Sequence, residues 1–150
     1  MTVEVRYDLT DEELSDLLAL YGDYEWWADR DREAVARAVA ETDAFVALED
    51  DESGKLVASA RIITDFVYYA NVYDVIVDGD RRGEGLGEQL LDAVVEHPDL
   101  RNLARLNLFC RPGLESFYEQ SGFEQSTMRA PIPELDGKER ELIRMVYERG

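Results

Sequence analysis

Two arginines, Arg81 and Arg82, stand ahead of three glycines at alternate positions, Gly83, Gly85 and Gly87. Before them, Val72, Val75, Ile76 and Val77 are β-branched and suit an enclosed strand. After them, Leu86, Leu90, Leu91, Val94 and Val95 recur at helical spacing. A strand that turns straight into a helix leaves the first helical N–H groups without partners, and the helix dipole favours an anion there. Glycines let a phosphate come close to such a backbone. The chemistry this stretch implies is recognition of a phosphorylated cofactor. The dinucleotide pattern G-x-G-x-x-G is absent because these glycines alternate, and no Gly-Lys-Ser/Thr occurs anywhere.

What remains is Arg-x-x-Gly-x-Gly, filled by Arg82, Gly85 and Gly87. With Phe117-Tyr118-Glu119-Gln120-Ser121-Gly122-Phe123 downstream, a Tyr-x-x-x-Gly-Phe segment, the chain resembles the GNAT superfamily of N-acetyltransferases. Tyr73 to Val77 and the short connection from Leu108 to Tyr118 look like its small amine-acetyltransferase branch. The resemblance implies an α+β (α/β/α-type) fold. Its sheet is mixed and mostly antiparallel, with a central parallel pair splayed at the cofactor site and roughly four flanking helices.

The resemblance also implies roles. The backbone of Val75, Ile76 and Val77 would pair with the pantetheine arm of acetyl-CoA. The amides of Gly83, Glu84, Gly85, Leu86, Gly87 and Glu88 would hold its pyrophosphate. Arg81 and Arg82 would add positive charge, with the Glu84 and Glu88 carboxylates turned outward. Tyr118 would meet the cofactor sulfur and hydrogen-bond or protonate the departing thiolate. Arg111 stands where many relatives carry an Asn that touches the cofactor, and Cys110 is a packed strand-end residue because the superfamily transfers the acetyl group directly. The implied activity is acetyl-CoA-dependent transfer to a primary amine of a small molecule or protein. A non-catalytic acyl-CoA-binding or protein-interaction module on the same fold is the second reading.

Tyr24, Trp26 and Trp27 join two helices and either cover the core edge or, with Tyr73, wall the acceptor site, where aromatic faces suit an amine. An alkylamine has a pKa near 10, so a proton must leave before attack. Relatives often place a base at positions that fall on Asn71 and Tyr73, and neither is a ready base. Asp74 is a candidate structural acceptor, and the base stays unassigned.

Composition narrows the partners. The 150 residues have the size of one domain. Asp and Glu number 34 against 16 Lys and Arg, a formal net charge of -18, and only Lys55 and Lys138 are lysines. Such a surface repels nucleic acid and anionic membrane, so neither is expected as a partner. It looks like that of a salt-adapted proteome, where ionic strength screens self-repulsion. One cysteine, no signal-like N-terminus and no apolar run of spanning length fit a cytoplasmic monomer or homodimer. His97 is the only histidine, so no metal site is expected, and a place at a helix C-terminus suits it.

The elements that position these residues follow from pattern. Val3 to Tyr7 alternates as a strand. Thr10 and Glu13 form a capping box for a helix ending at Gly22. Asp31 to Glu41 is a second helix with Ala34, Val35, Ala38 and Val39 inward. Strands at 43–48, 56–63 and 69–77 form a meander with an acidic turn at 49–55. The glycine helix runs from about 85 to 96, a strand over 104–109, a short helix over 113–120 with Gly122 as its cap, and Phe123 starts a further strand. Residues 130–137 hold too much Pro and Gly for a regular element. The stretch from Leu142 to Tyr147 reads as a strand, with a short helix as the alternative.

Overall fold

The computed structural model describes residues 2–133 and 139–149, with the backbone alone for 127–133 and 139–142. Its elements are β1 (Val3–Arg6), α1 (Asp11–Gly22), α2 (Arg32–Ala40), β2 (Ala44–Asp50), β3 (Leu56–Thr64), β4 (Ala70–Val77), α3 (Leu86–Val95), β5 (Arg105–Cys110), α4 (Glu115–Glu119), β6 (Glu124–Pro133) and β7 (Glu139–Glu148). One seven-stranded sheet runs in the order β1-β2-β3-β4-β5-β7-β6. Every neighbouring pair is antiparallel except β4 and β5.

Helices cover both faces. Ala44, Val46 and Leu48 of β2 join the core beneath α3, while Phe45 and Ala47 join the core beneath α1 and α2. A strand enclosed on both sides explains why β2 reads as a nearly continuous apolar run. The α1 capping box is present: Glu13 N–H donates to Thr10 Oγ1 at 3.2 Å, and Thr10 N–H donates to Glu13 at 3.0 Å. Glu13 also receives two hydrogen bonds from Arg6, which ties β1 to α1.

Several expectations are corrected. In α2 only Val35 is buried, and Ala34 is exposed. Gly22 is the last residue of α1, and Asp23 caps it in an ordinary right-handed conformation. Gln120, not Gly122, caps α4, and Gly122 carries φ +92° just beyond it. Residues 130–133 continue β6, although prolines fall there. The order of strands gives the reason: β6 is the edge of the sheet, where a missing N–H breaks no ladder on the open side. Residues 134–137 of that expected irregular stretch lie outside the described residues. The last segment is the strand expected, β7, and its helical alternative falls away.

The feature that shapes the site is in β4. The β3 register passes from Ser59↔Ile76 to Arg61↔Tyr73, so β4 carries one extra residue. Asp74 sits in that bulge with φ +54°. One inserted residue inverts the inward-outward phase of a strand. Val72 accordingly packs in the α3 core, whereas Ile76, an even number of residues on, packs in the α1–α2 core. Beyond the pairs Asn71↔Asn107 and Val72↔Leu108, β4 and β5 no longer pair, and their C-terminal halves part.

Two glycine substitutions separate conformational freedom from packing. A Cβ at Gly22 meets nothing within 4 Å, whereas one at Gly87 falls 2.4 Å from the Phe117 ring. In urea denaturation, Gly22→Ala is expected to stabilise by about 0.5 kcal/mol, and Gly87→Ala to cost about 1–3 kcal/mol.

Candidate functional site

The parted strands open into a cleft of about 940 Å³. Val75, Ile76, Val77, Arg82, Gly83, Gly85, Leu86, Gly87, Glu88 and Tyr118 line it, and so do Trp26, Trp27 and Tyr73. Glu84 is exposed and does not contribute to the lining, as its outward orientation requires; Glu88 is exposed too but stands at the rim.

The glycines divide into two jobs. Gly83 (φ +86°) and Gly85 (φ +78°) hold left-handed conformations with open space where a Cβ would be. Gly85 is the N-cap of α3 and offers no side-chain cap. The N–H groups of the first turn therefore open toward the cleft mouth without an intrahelical partner. Gly87 differs, because its missing Cβ is filled by Phe117 and it serves the packing of α3 on α4.

Hydrogen-bond phase decides which β4 groups face the cleft. Asp78 N–H donates to Val57 C=O at 2.8 Å. In an antiparallel ladder this turns Ile76 toward Ser59 of β3 and leaves Val75 and Val77 facing the other way. The Ile76 backbone is thus not available to a ligand in the cleft. The Val77 carbonyl already accepts from Tyr24 Oη at 2.7 Å, and Tyr24 Oη in turn accepts from Arg82 at 2.9 Å. Arg82 also stands 5.7 Å from the Tyr24 ring. Both Arg82 and Arg81 line the cleft. Arg81 is bonded to the buried Asp50 carboxylate of β2, so much of its charge is compensated within the protein.

Asp74 is a structural acceptor. Arg30 bonds both of its oxygens, at 2.7 and 3.2 Å, and Arg61 Nε donates to Oδ2 at 2.8 Å. Burial alone raises a carboxyl pKa, but here the hydrogen bonds and charges of Arg30 and Arg61 outweigh it and hold Asp74 below its ordinary value of 3.8. It is no base at neutral pH. His97 is buried away from the cleft, edge-on to Tyr7, and burial lowers its pKa, so it does not serve as a charge on the end of α3.

Tyr118 lies on the other wall, 6% exposed and edge-on to Phe117 and Phe123. Its hydroxyl makes no hydrogen bond with the described residues. Burial, with Cys110 nearby, pushes the phenol far above its usual range. The Cys110 thiol is raised to about 11 by burial first and Glu115 second, so it stays a thiol and a poor nucleophile.

The aromatic connection divides between the core and the cleft lining. Trp27 packs on the α1–α2 core and against Tyr21. Trp26 is exposed, and the Arg111 guanidinium lies 4.5 Å over its ring, joining the two walls of the cleft. Arg30 went unnoticed in the sequence, since nothing local marks a partner 44 residues away from Asp74. Among the described residues no group of three or more His, Cys, Asp and Glu could hold a metal ion.

Comparison with known proteins places this architecture. The family model for the acetyltransferase (GNAT) domain matches residues 40–125, more than half of the chain. The chain belongs to the GNAT acetyltransferase family. It is 33% identical over 76 residues to GCN5-related N-acetyltransferase 2, chloroplastic, of Arabidopsis thaliana, covering 51% of this chain and 30% of that protein. The chain spans between 30% and 57% of the length of the first curated relatives it matches. In fold it resembles the Escherichia coli ribosomal-protein-S18-alanine N-acetyltransferase, with TM-score 0.78, 22% identity and coverage of 98% and 94% of the two chains. An aminoglycoside 6'-N-acetyltransferase solved with coenzyme A gives TM-score 0.77 at 16% identity, covering 99% and 97%.

The ion cluster makes a pH prediction. A carboxylate depressed by folding lends stability that is complete above its unfolded value, near 3.8, and lost as pH falls through its folded value. Asp74→Asn is expected to cost about 2–3 kcal/mol at pH 7, by leaving two half-buried guanidinium groups underpaired. It should also flatten the acid limb of stability against pH below about 4, measured by urea denaturation.

Proposed function

We propose that this chain is an acetyl-CoA-dependent N-acetyltransferase that acetylates a primary amine directly. One observation carries the reading: the uncapped start of α3 and Tyr118, whose hydroxyl has no partner among the described residues, line the same cleft. An uncapped helix start suits a diphosphate. A hydroxyl on a buried ring, with no partner among the described residues, suits a sulfur at the end of a long arm. The fold relative bound to coenzyme A supports the choice of cofactor.

Acetyl-CoA held there supplies an activated thioester. The amides from Gly83 to Glu88, without the Glu84 side chain, would take its diphosphate, and Arg82 would add charge if released from Tyr24. Val75 and Val77 face away from β3 and would offer backbone groups to the arm, save the Val77 carbonyl, which Tyr24 holds. Tyr118 keeps its proton, because its pKa lies above that of a thiol, about 8.5. It therefore donates a hydrogen bond to the departing sulfur and does not hand over the proton. Among the described lining residues Asp74 is engaged, Cys110 is protonated, no histidine occurs, and the one further carboxylate, Glu88, stands exposed in the first turn of α3. The amine would lose one proton to water before it attacks; as the C–N bond forms and the C–S bond breaks, its second proton would also pass to water and the sulfur would leave as a thiolate that solvent protonates.

Two measurements test this. Tyr118→Phe should lower kcat about 100-fold, with the KM for acetyl-CoA nearly unchanged. The rate kcat/KM should rise with pH toward the pKa of the acceptor amine itself, near 10 for an alkylamine, with no enzyme group titrating near 6 or 7. Binding of acetyl-CoA without thiol release from any acceptor in an amine panel would overturn the transferase reading.

A further inference from the structure

The β3–β4 hairpin is not used by the reading above. Its tip, Phe66-Val67-Tyr68-Tyr69, is exposed throughout, with Tyr68 at 72% and Tyr69 at 68%. Four neighbouring apolar side chains in water are an unusual surface for a chain this charged. The tip is nevertheless rigidly built. Asp65 Oδ1 accepts from the N–H groups of Val67, Tyr68 and Tyr69, at 2.7 to 3.0 Å. Thr64 donates to Tyr69 C=O and accepts from Phe66 N–H, and Thr64 N–H donates to Asp43. Those three amides also hold the Asp65 carboxyl below its usual range, so it stays charged.

The tip leads to the cleft along a track. Ala70 and Val72 face the α3 core, so strand alternation places Tyr69, Asn71 and Tyr73 together on the opposite face. Asn107 stands beside Asn71 in register, and Phe109 follows it on β5. Tyr73 and Phe109 are exposed and also line the cleft. From Tyr69 to Tyr73 is about 13 Å at strand rise, the reach of four extended residues. A free small amine would touch only the cleft end.

Charge selects the occupant. At the tip the carboxylates are Asp65 and the exposed Asp43; farther along, Asp74 is matched by Arg30 and Arg61 and Arg144 donates to Asn107, so the attraction for cations is confined to the tip. Exposed tyrosine faces among carboxylates attract guanidinium and ammonium groups. A second copy, itself at -18, is repelled by the same field.

We infer that the acceptor is a basic polypeptide laid along the open face of β4, with its free amine at Tyr73 and cationic side chains on Tyr68 and Tyr69. This rests on the transferase reading for the amine and on the hairpin alone for the docking.

The test uses the intact chain and a short peptide with a free N-terminus, arginines at its fourth and fifth residues and a dye at its C-terminus. Anisotropy should show binding that weakens about tenfold in the Tyr68→Ser, Tyr69→Ser double variant, and by a similar factor when the arginines become glutamates. Acetylation of a one-residue amide and the KM for acetyl-CoA should be unchanged in that variant. Equal binding by the two proteins, or equal binding of the two peptides, overturns the inference. So does sedimentation that shows the tip buried in a dimer the variant dissociates. Peptide binding lost in the variant, with no thiol released by any acceptor, supports the docking track and overturns the transferase reading. Acetylation of the amide with no preference for the peptide does the reverse.

Discussion

Asp74 holds a left-handed backbone angle while two arginines from different parts of the chain share its carboxylate. A non-glycine residue in that region is strained by roughly 1–2 kcal/mol. The hydrogen bonds from Arg30 and Arg61 are charge-assisted and mostly shielded from water, and they offset that strain. The bulge they fix inverts the phase of β4 and bends it from β5. Without it, the parallel pair would continue past Leu108 and the cleft would close into ordinary sheet. Arg30 belongs to the connection after α1, so the same pair also anchors the aromatic wall of Tyr24, Trp26 and Trp27 over the opening.

A chain this acidic spends its arginines with care. Arg6 ties β1 to Glu13 and Glu49, and Arg81 ties the turn after β4 to Asp50. Arg30 and Arg61 meet at Asp74. At the mouth of the cleft, Arg82 and Arg111 are instead held against aromatic rings, Tyr24 and Trp26. A ring compensates a guanidinium less than a carboxylate does.

What could be read from the sequence was local. The capping box of Thr10 and Glu13, the strand-glycine-helix junction and the helical spacing after Gly85 depend on residues a few positions apart, and the structure has all three. The mixed sheet with one parallel pair followed from resemblance in two motifs. What was not legible depends on distant partners. Nothing beside Asp74 announces Arg30, so neither the bulge nor the turning of Ile76 toward β3 could be foreseen. Gly87 reads with its neighbours as a phosphate glycine, and the sequence does not show that a Cβ there would also meet the Phe117 ring, 30 residues on. Pro131 and Pro133 argued against a strand only while the edge position of β6 was unknown.

Amide hydrogen exchange with and without acetyl-CoA tests the central claim most directly, since it reads the backbone of the parted strands and of the α3 start. Binding should slow exchange at Val75 and Val77 and at the amides from Gly83 to Glu88, and leave Ile76, already turned to β3, unchanged. Protection that spares the α3 start, or none at all at saturating acetyl-CoA, would contradict the account.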